Sequence, residues 1–339
     1  MGMLRRKRTT RTQKLLKGAG IAAGSIGAAA LGWIGYSALA IDHKRRLRSA
    51  IDAPINSFRT RNAGTVSYYV DRGGDGAPVV LLHSINAAAS SYEMRPLFDH
   101  FRGKRPVYAL DLPGFGFSDR HAREYSPALY ARVIVEFLES EVGAKADVIA
   151  LSLTGEFAAR AAVERPDRFR SLALISPTGF SADAARREND TAYNAMSFPL
   201  WSQAFYDLLV SPPSIRYYLN KSFEGQADSG LAEYSYDTAH RPNARVAPLQ
   251  FVAGKLFTPD VYSKFYERLE VPALALYDRD AYVTFERVDE ISRAHPNWRA
   301  ERIAGTRGLP HFERREATVQ ALERFWEGVN TEASRPAAV

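Results

Sequence analysis

One ten-residue stretch decides the fold predicted for this 339-residue chain: Val148-Ile149-Ala150-Leu151-Ser152-Leu153-Thr154-Gly155-Glu156-Phe157. Its first four residues form an apolar run that predicts a buried strand, and a helical pattern begins at Phe157. A serine therefore lies where a strand turns directly into a helix, which is the setting that exposes a nucleophilic serine on a tight turn. That turn requires small residues two before and two after the serine, where this chain has Ala150 and Thr154. The stretch alone is equally compatible with a buried serine that ends an ordinary strand.

Similar short apolar runs recur along the chain, with amphipathic stretches such as Tyr130–Val142 between them. The runs are Thr65–Val70, Val79–Leu82, Val107–Leu110, Leu172–Ile175 and Ala273–Tyr277, and a last strand is expected near Ala300–Ile303. Strands that are apolar throughout and alternate with helices are typical of a parallel sheet covered on both faces. The sequence therefore predicts an α/β fold with a mostly parallel, doubly wound sheet.

The alternation of strands and helices stops between about Ser181 and Leu269, where we find no buried strand and many aromatic residues. We interpret this segment as a helical insertion that caps the active site. The predicted domains are a core formed by residues 51–180 and 270–339 and a cap formed by residues 181–269. Residues Ile51–Ala63 are predicted to be a connector.

The composition excludes several classes of chemistry. The chain has no cysteine, which excludes disulfides, zinc–thiolate sites and cysteine nucleophiles. The formal net charge is +7, but much of it comes from basic residues in the first fifty positions, on both sides of the apolar stretch Gly18–Ile41. Basic clusters beside an apolar segment indicate membrane orientation rather than nucleic-acid binding. We therefore expect no nucleic-acid partner.

Residues 1–50 are predicted to be basic flanks around a single-pass membrane anchor. Gly18–Ile41 is long enough, because a spanning helix needs roughly 20 apolar residues. Gly20 and Gly24 have the spacing that lets two such helices pack closely, although the oligomeric state stays open. The more basic N-terminal flank favours a catalytic domain on the extracytoplasmic side. A cleaved secretory signal ending at Ala38-Leu39-Ala40 and a soluble Ala/Gly helix are the alternatives.

Several motifs in chain order make residues 65–328 resemble the α/β-hydrolase superfamily. They are His83-Ser84-Ile85-Asn86 after a strand, Asp-x-Pro-Gly-x-Gly-x-Ser at Asp111–Ser118, the turn at Ser152, Ser-Pro-Thr-Gly at Ser176–Gly179, the strand before Asp280, and Gly-Leu-Pro-His-Phe-Glu at Gly308–Glu313. The resemblance implies that the backbone N–H groups of Ile85 and Leu153 form an oxyanion hole.

The resemblance also implies a catalytic triad in the chain order serine, aspartate, histidine. Ser152 is the predicted nucleophile. Asp280 is the predicted acid and is preferred to Asp278 because it fits an Asp-x-x-Val pattern. His311 is the predicted general base. The family pattern places histidine two residues before the proline of this motif, where the chain has Gly308.

These residues predict a serine hydrolase that cleaves an acyl ester and needs neither a cofactor nor a metal. The aromatic insertion and the predicted anchor suggest an apolar, lipid-like ester. Acyl transfer or cofactor-free perhydrolysis on the same triad is an alternative. A non-catalytic, membrane-tethered binding protein on a hydrolase scaffold is a second alternative, favoured by the departures at Ser84, Thr154 and Gly308.

Overall fold

A computed structural model describes residues 27–182 and 188–333 of the chain. Eight strands within these ranges form a single sheet in the order β1-β2-β4-β3-β5-β6-β7-β8. The strands are β1 (Ile55–Arg59), β2 (Thr65–Asp71), β3 (Val79–Leu82), β4 (Val107–Leu110), β5 (Ala146–Leu151), β6 (Phe169–Ile175), β7 (Ala273–Tyr277) and β8 (Trp298–Arg302). Strands β3 to β8 are parallel to one another, whereas β1 and β2 form an antiparallel edge beside β4. The predicted α/β fold is confirmed.

Helices connect these strands. They are α1 (residues 27–40), α2 (Arg95–Phe101), α3 (Pro127–Phe137), α4 (Thr154–Glu164), α5 (Asp190–Met196), α6 (Ser202–Leu209), α7 (Pro212–Ser222), α8 (Ser229–Ala239), α9 (Val246–Val252), α10 (Val261–Lys264), α11 (Val288–Ala294), α12 (Pro310–Glu313) and α13 (Arg315–Ala333). Helices α5 to α10 all lie between β6 and β7, within the segment predicted to be the cap. The division into a core domain and a cap domain stays a prediction.

The central strands bury side chains on both faces of the sheet. Leu82 and Ala150 belong to one hydrophobic core, together with residues of α3 and α4. Leu81 and Leu151, their neighbours in β3 and β5, belong to a second core with residues of α2 and α13. Since successive side chains of a strand point to opposite faces, a strand buried on both faces must be apolar throughout. This requirement explains the continuous apolar runs in the sequence.

Strand β1 lies in the segment predicted to be a connector, so that prediction is wrong for Ile55–Arg59. Of its five residues only Phe58 is buried. The strand is held by its antiparallel pairing with β2 rather than by an apolar face. An edge strand of this kind carries almost no hydrophobic pattern from which it could be predicted.

The predicted single-pass membrane anchor, and the localisation derived from it, are wrong. In the described ranges, no helix is both long enough and apolar enough to cross a membrane. Gly20 and Gly24 lie outside the described residues. Helix α1 makes polar contacts with α6: Trp33 Nε1 donates to the Ala204 carbonyl at 2.7 Å, and Ser37 Oγ donates to Asp207 at 2.5 Å. Helix α1 therefore packs on α6.

Candidate active site

Ser152 follows the last residue of β5 and has a φ of 54°, in the left-handed region. Its N–H donates to the Ile175 carbonyl of β6 at 2.8 Å, and its own carbonyl accepts from Gly155 N at 3.0 Å. These two bonds fix the turn between strand and helix. A non-glycine residue in this conformation costs on the order of 1–3 kcal/mol, and such strain concentrates at functional sites. The sequence-predicted nucleophile therefore lies, partly exposed, on a strained turn at the carboxyl edge of the sheet.

Because of this strain, Ser152→Gly is expected to raise the free energy of unfolding by about 1 kcal/mol. A left-handed non-glycine residue costs about 1–2 kcal/mol, which the greater chain entropy of glycine offsets in part. The measurement is a urea unfolding curve, with Ser152→Ala as the control because alanine keeps the Cβ atom and therefore the strain. Equal stabilities of the glycine and alanine variants would contradict the interpretation.

The two predicted oxyanion donors lie next to the serine and to the end of β3. The N–H groups of Leu153 and Ile85 have no acceptor among the described residues, although both residues are buried. Leu153 immediately precedes α4, so its N–H belongs to the unpaired first turn of a helix, where negative charge is favoured. Buried amides without an acceptor are rare, and one of these two belongs to the residue that follows the candidate nucleophile.

The loop that carries Ile85 is held by Glu93, a residue that the sequence analysis missed. Glu93 is buried in a short 3-10 helix, Ser91–Met94, and one carboxylate oxygen accepts from Ser84 N at 2.8 Å. The other oxygen accepts from Asn86 Nδ2 at 2.7 Å. The signal for Glu93 in the sequence is that it is a single acidic residue within a run of uncharged residues. Glu93 is a positioning residue for the predicted oxyanion loop.

Thr154 and His83 join this loop to the serine turn. Thr154 Oγ1 donates to the His83 carbonyl at 2.7 Å, so the departure from a small residue adds a tether between the two donor segments. His83 Nε2 accepts from Leu112 N at 2.9 Å, which leaves the proton on Nδ1, where it is donated to the Ser84 carbonyl at 2.6 Å. His83 is therefore a structural residue in the neutral tautomer.

The two candidate acids differ in their surroundings. Asp278 is buried and accepts hydrogen bonds from Arg302 and from the N–H groups of Gly305 and Thr306. Burial opposes ionisation of Asp278, but these three donors together lower its pKa below the usual value. Both of its oxygens are thus bonded to the end of β8 and to the loop that follows it.

The Asp280 carboxylate has fewer hydrogen bonds from the described residues than the Asp278 carboxylate. Its Oδ1 accepts from Tyr282 N at 2.7 Å and from Val283 N at 3.3 Å. Burial raises the pKa of Asp280, although these amides partly offset the effect. Its Oδ2 lies over Gly308: a Cβ atom added to that glycine would be 2.8 Å from Oδ2. The carboxylate of Asp280 therefore faces the position where the family pattern has histidine.

The predicted base, His311, has partners other than Asp280. It is fully buried in α12, and its Nε2 donates to the Glu93 carbonyl at 2.7 Å, so the proton is on Nε2. Its Nδ1 is buried and has no partner among the described residues. Burial lowers the pKa of His311 to about 4, so the ring is neutral. No hydrogen bond in the described chain connects His311 with Ser152 or Asp280.

Ser152 and the two predicted oxyanion donors thus follow neighbouring parallel strands, and the hydrogen bond from Thr154 to His83 joins their segments. The structure does not connect the predicted base with either of its triad partners. In the described residues, no group of three or more histidine, aspartate or glutamate side chains is arranged to hold a metal ion.

Comparisons with known proteins place this arrangement in a family. The model of the alpha/beta hydrolase family matches residues 79–321, which is more than half of the chain. A dihydrolipoyllysine-residue acetyltransferase component of the acetoin cleaving system from Cupriavidus necator is 32% identical over 130 residues, covering 38% of this chain and 32% of that protein. A 2-hydroxymuconate semialdehyde hydrolase from a Pseudomonas species is 28% identical over 136 residues, covering 39% of this chain and 48% of that protein.

The matched segments therefore cover less than half of each of these curated relatives. Among solved structures, a protein described as a probable hydrolytic enzyme from Pseudomonas aeruginosa is similar with a TM-score of 0.66. The superposition covers 81% of this chain and 95% of that one. At 20% sequence identity this similarity concerns the fold.

Proposed function

Because the chain belongs to the alpha/beta hydrolase family, we propose that it cleaves acyl esters with Ser152 as its nucleophile. The observation that supports the proposal best is the strained turn at Ser152, whose segment is bonded to the predicted oxyanion loop and which shares with that loop two N–H groups that have no acceptor in the described chain. Such donors stabilise the negative charge that develops on an acyl carbonyl oxygen, by about 2.7–4 kcal/mol for one donor in other enzymes.

In the proposed reaction, Ser152 Oγ bonds to the carbonyl carbon, and the carbonyl oxygen becomes an oxyanion held by the N–H groups of Ile85 and Leu153. A base takes the hydroxyl proton and returns it to the departing alkoxide, and water then releases the acyl group. Asp280 is the proposed acid and His311 the predicted base, whose Nε2 proton is donated to the Glu93 carbonyl.

We further propose an apolar acyl group for the ester. Aromatic side chains crowd the helices between β6 and β7, and Tyr206 of α6 donates to the Ala87 carbonyl of the predicted oxyanion loop at 2.7 Å. This contact supports a cap that borders the site. Acyl transfer and perhydrolysis would use the same serine and differ only in the acceptor of the acyl group.

A second candidate is a non-catalytic binding protein on the same scaffold. The observation that favours it is the position of His311, whose proton is held by the Glu93 carbonyl. Such a protein would bind an acyl ligand in the oxyanion hole without cleaving it.

Labelling with a fluorophosphonate tests the proposal, since the probe reacts with activated serines. We expect the full chain to label and the Ser152→Ala variant to lose all labelling. Asp280→Ala and His311→Ala variants measure the contribution of each predicted triad partner. Ser176→Ala is the matched control, because Ser176 also has a left-handed φ of 45° at a strand end but has a buried hydroxyl.

Labelling that persists in Ser152→Ala or disappears in Ser176→Ala would contradict the assignment of the nucleophile. A folded wild-type chain that never labels would favour the binding protein. Rates of hydrolysis of p-nitrophenyl esters with increasing acyl length then test whether the acyl group is apolar.

A further inference from the structure

The segment that follows the turn Asp111–Ser118 carries an arginine, Arg120, whose side chain reaches the end of α8. Its Nη2 donates to Thr238 Oγ1 at 3.1 Å and, at 3.5 Å, to the Thr238 carbonyl. Its Nε is buried and has no partner among the described residues. The acceptors that this guanidinium has in the described chain are therefore uncharged, and part of its donor capacity is unused.

A second guanidinium, that of Arg241, lies close to the first. Arg241 follows α8, and its guanidinium carbon is 5.4 Å from the centre of the Phe117 ring, in the segment that carries Arg120. Burial, and after it the positive charge of Arg241, lowers the pKa of Arg120 to about 10, so the group stays charged at neutral pH. The two arginines therefore form a pair of neighbouring positive charges.

This pair has no counter-ion in the described chain. Neither Arg120 nor Arg241 forms an ion pair with a described carboxylate, and the side chain of Arg241 makes no hydrogen bond there. Asp111 acts on Arg120 electrostatically, but its two oxygens accept from Ser91 N and Phe117 N, each at 2.9 Å. Charges withdrawn from water are normally paired, because desolvation and like-charge repulsion oppose folding. A bound anion would remove both costs.

The pair borders the segments of the candidate site. Leu112, in the same segment as Arg120, donates its N–H to His83 Nε2 at 2.9 Å, beside the predicted oxyanion loop. Tyr206 of α6, which also interacts electrostatically with Arg120, donates to the Ala87 carbonyl of that loop at 2.7 Å. Both arginines are partly exposed, so a small anion has access to them.

We propose that Arg120 and Arg241 together bind the anionic group of a small-molecule ligand, either a carboxylate or a phosphate. A guanidinium suits both groups, because its forked N–H donors match two oxygens of one anion. The inference rests on the proposed function only where it identifies this ligand as the ester substrate. That substrate would then combine an apolar acyl group with an anionic group away from the scissile bond.

The test is the melting temperature of the full chain at neutral pH in increasing inorganic phosphate or acetate, with potassium chloride of equal ionic strength as the baseline. An anion that binds the folded state raises the melting temperature with the logarithm of its concentration, which yields a dissociation constant. We expect that constant to be at least about tenfold larger in Arg120→Gln and in Arg241→Gln, because a charge-assisted hydrogen bond is lost. The anion that binds more tightly identifies the ligand group as phosphate or carboxylate.

Two variants separate the positive charges from their surroundings. Arg245→Gln is the matched control, because Arg245 is also partly buried between β6 and β7 but donates to Ser202 Oγ and Gln203 Oε1, so binding should be unchanged. Thr238→Val keeps both charges and removes the hydroxyl that accepts from Arg120, and binding should persist. Without anions, Arg120→Gln should melt no lower than Arg245→Gln, since it removes an unpaired charge.

Two results would overturn the inference. Equal binding in the wild type, Arg120→Gln and Arg241→Gln would place the anion elsewhere on this basic chain. The lack of any anion effect in the wild type would also refute it, and a lowered melting temperature of Arg120→Gln would then show that Arg120 only holds the end of α8. Fluorophosphonate labelling of Ser152 tests the proposed function separately: a chain that binds the anion through Arg120 but never labels would keep this site and lose the ester substrate.

Discussion

Replacing Asp147 with alanine is expected to lower the free energy of unfolding by about 3 kcal/mol. Asp147 is the second residue of β5 and is completely buried. It accepts hydrogen bonds from Arg105 and Arg170, and its other oxygen accepts from Ser171 Oγ at 2.5 Å. Removing one partner of a buried ion pair costs about 3–5 kcal/mol, because the remaining charge is left uncompensated. We expect the lower end, since the two arginine side chains keep 17% and 19% of their exposure and can reach water.

The measurement is a urea unfolding curve, in which the midpoint should fall without a change in slope. Asp147→Asn keeps the shape and should cost less than alanine. Asp167→Ala is the control, because Asp167 also pairs with an arginine but on the surface, where ion pairs contribute little. Asp147 lies at the edge of the sheet opposite Ser152, so fluorophosphonate labelling of the folded variant should persist. A variant as stable as the Asp167 control would refute the prediction.

The sequence predicted most of the sheet because the burial of its strands leaves a simple pattern. The central strands β3 to β7 are covered on both faces, so their sequences are continuous apolar runs. Such runs can be recognised without knowing which strands lie beside them in the sheet. Strand β1 has no such run, because its pairing partner rather than its side chains determines its structure. Elements at the edge of a sheet are therefore the ones that sequence patterns miss.

The N-terminal prediction failed for a different reason. The length and composition of Gly18–Ile41 are compatible with a membrane span, but those properties do not show which groups its polar side chains contact. The hydrogen bond of Ser37 with Asp207, a residue 170 positions later, could not be read from a local window. Long-range partners of this kind decide between a span and a helix packed on the protein.

Contacts between distant parts of the chain also limited what the sequence could predict about the candidate site. Ser152 was identified from its neighbours in the chain, because the turn between strand and helix is a local structure. The roles of Glu93, Gly308 and His311 depend on contacts between segments that are distant in sequence. A motif match could therefore propose a histidine near the right place, but it could not show that the ring of His311 is bonded to the Glu93 carbonyl.

Glu156 is expected to contribute a loss of stability as the pH rises from about 5 to 8. This residue of α4 is buried and links three segments, since one oxygen accepts from Thr178 Oγ1 and the other from Thr258 N at 2.7 Å. Burial raises its pKa to about 7, although both hydrogen bonds oppose the rise. The folded protein therefore holds a proton on Glu156 in a pH range where the unfolded chain has released it.

The direction of this change in stability follows from proton linkage. Between the ordinary pKa of 4.5 and the folded value of about 7, the folded state binds more protons than the unfolded state, so raising the pH favours unfolding. Full ionisation above pH 7 corresponds to a loss of roughly 3 kcal/mol, as an upper limit for one buried carboxyl.

Glu156→Gln removes the titration while keeping an acceptor for Thr258 N and a polar partner for Thr178. We expect the stability of the variant relative to that of the wild type to increase between pH 5 and pH 8. Urea unfolding midpoints at four pH values measure this difference. Glu164→Gln is the matched control, because Glu164 lies on the same helix with its side chain 40% exposed. If the two glutamine variants show the same pH dependence, the buried Glu156 carboxyl is not the group that couples protonation to folding, and its segments are held together independently of its charge.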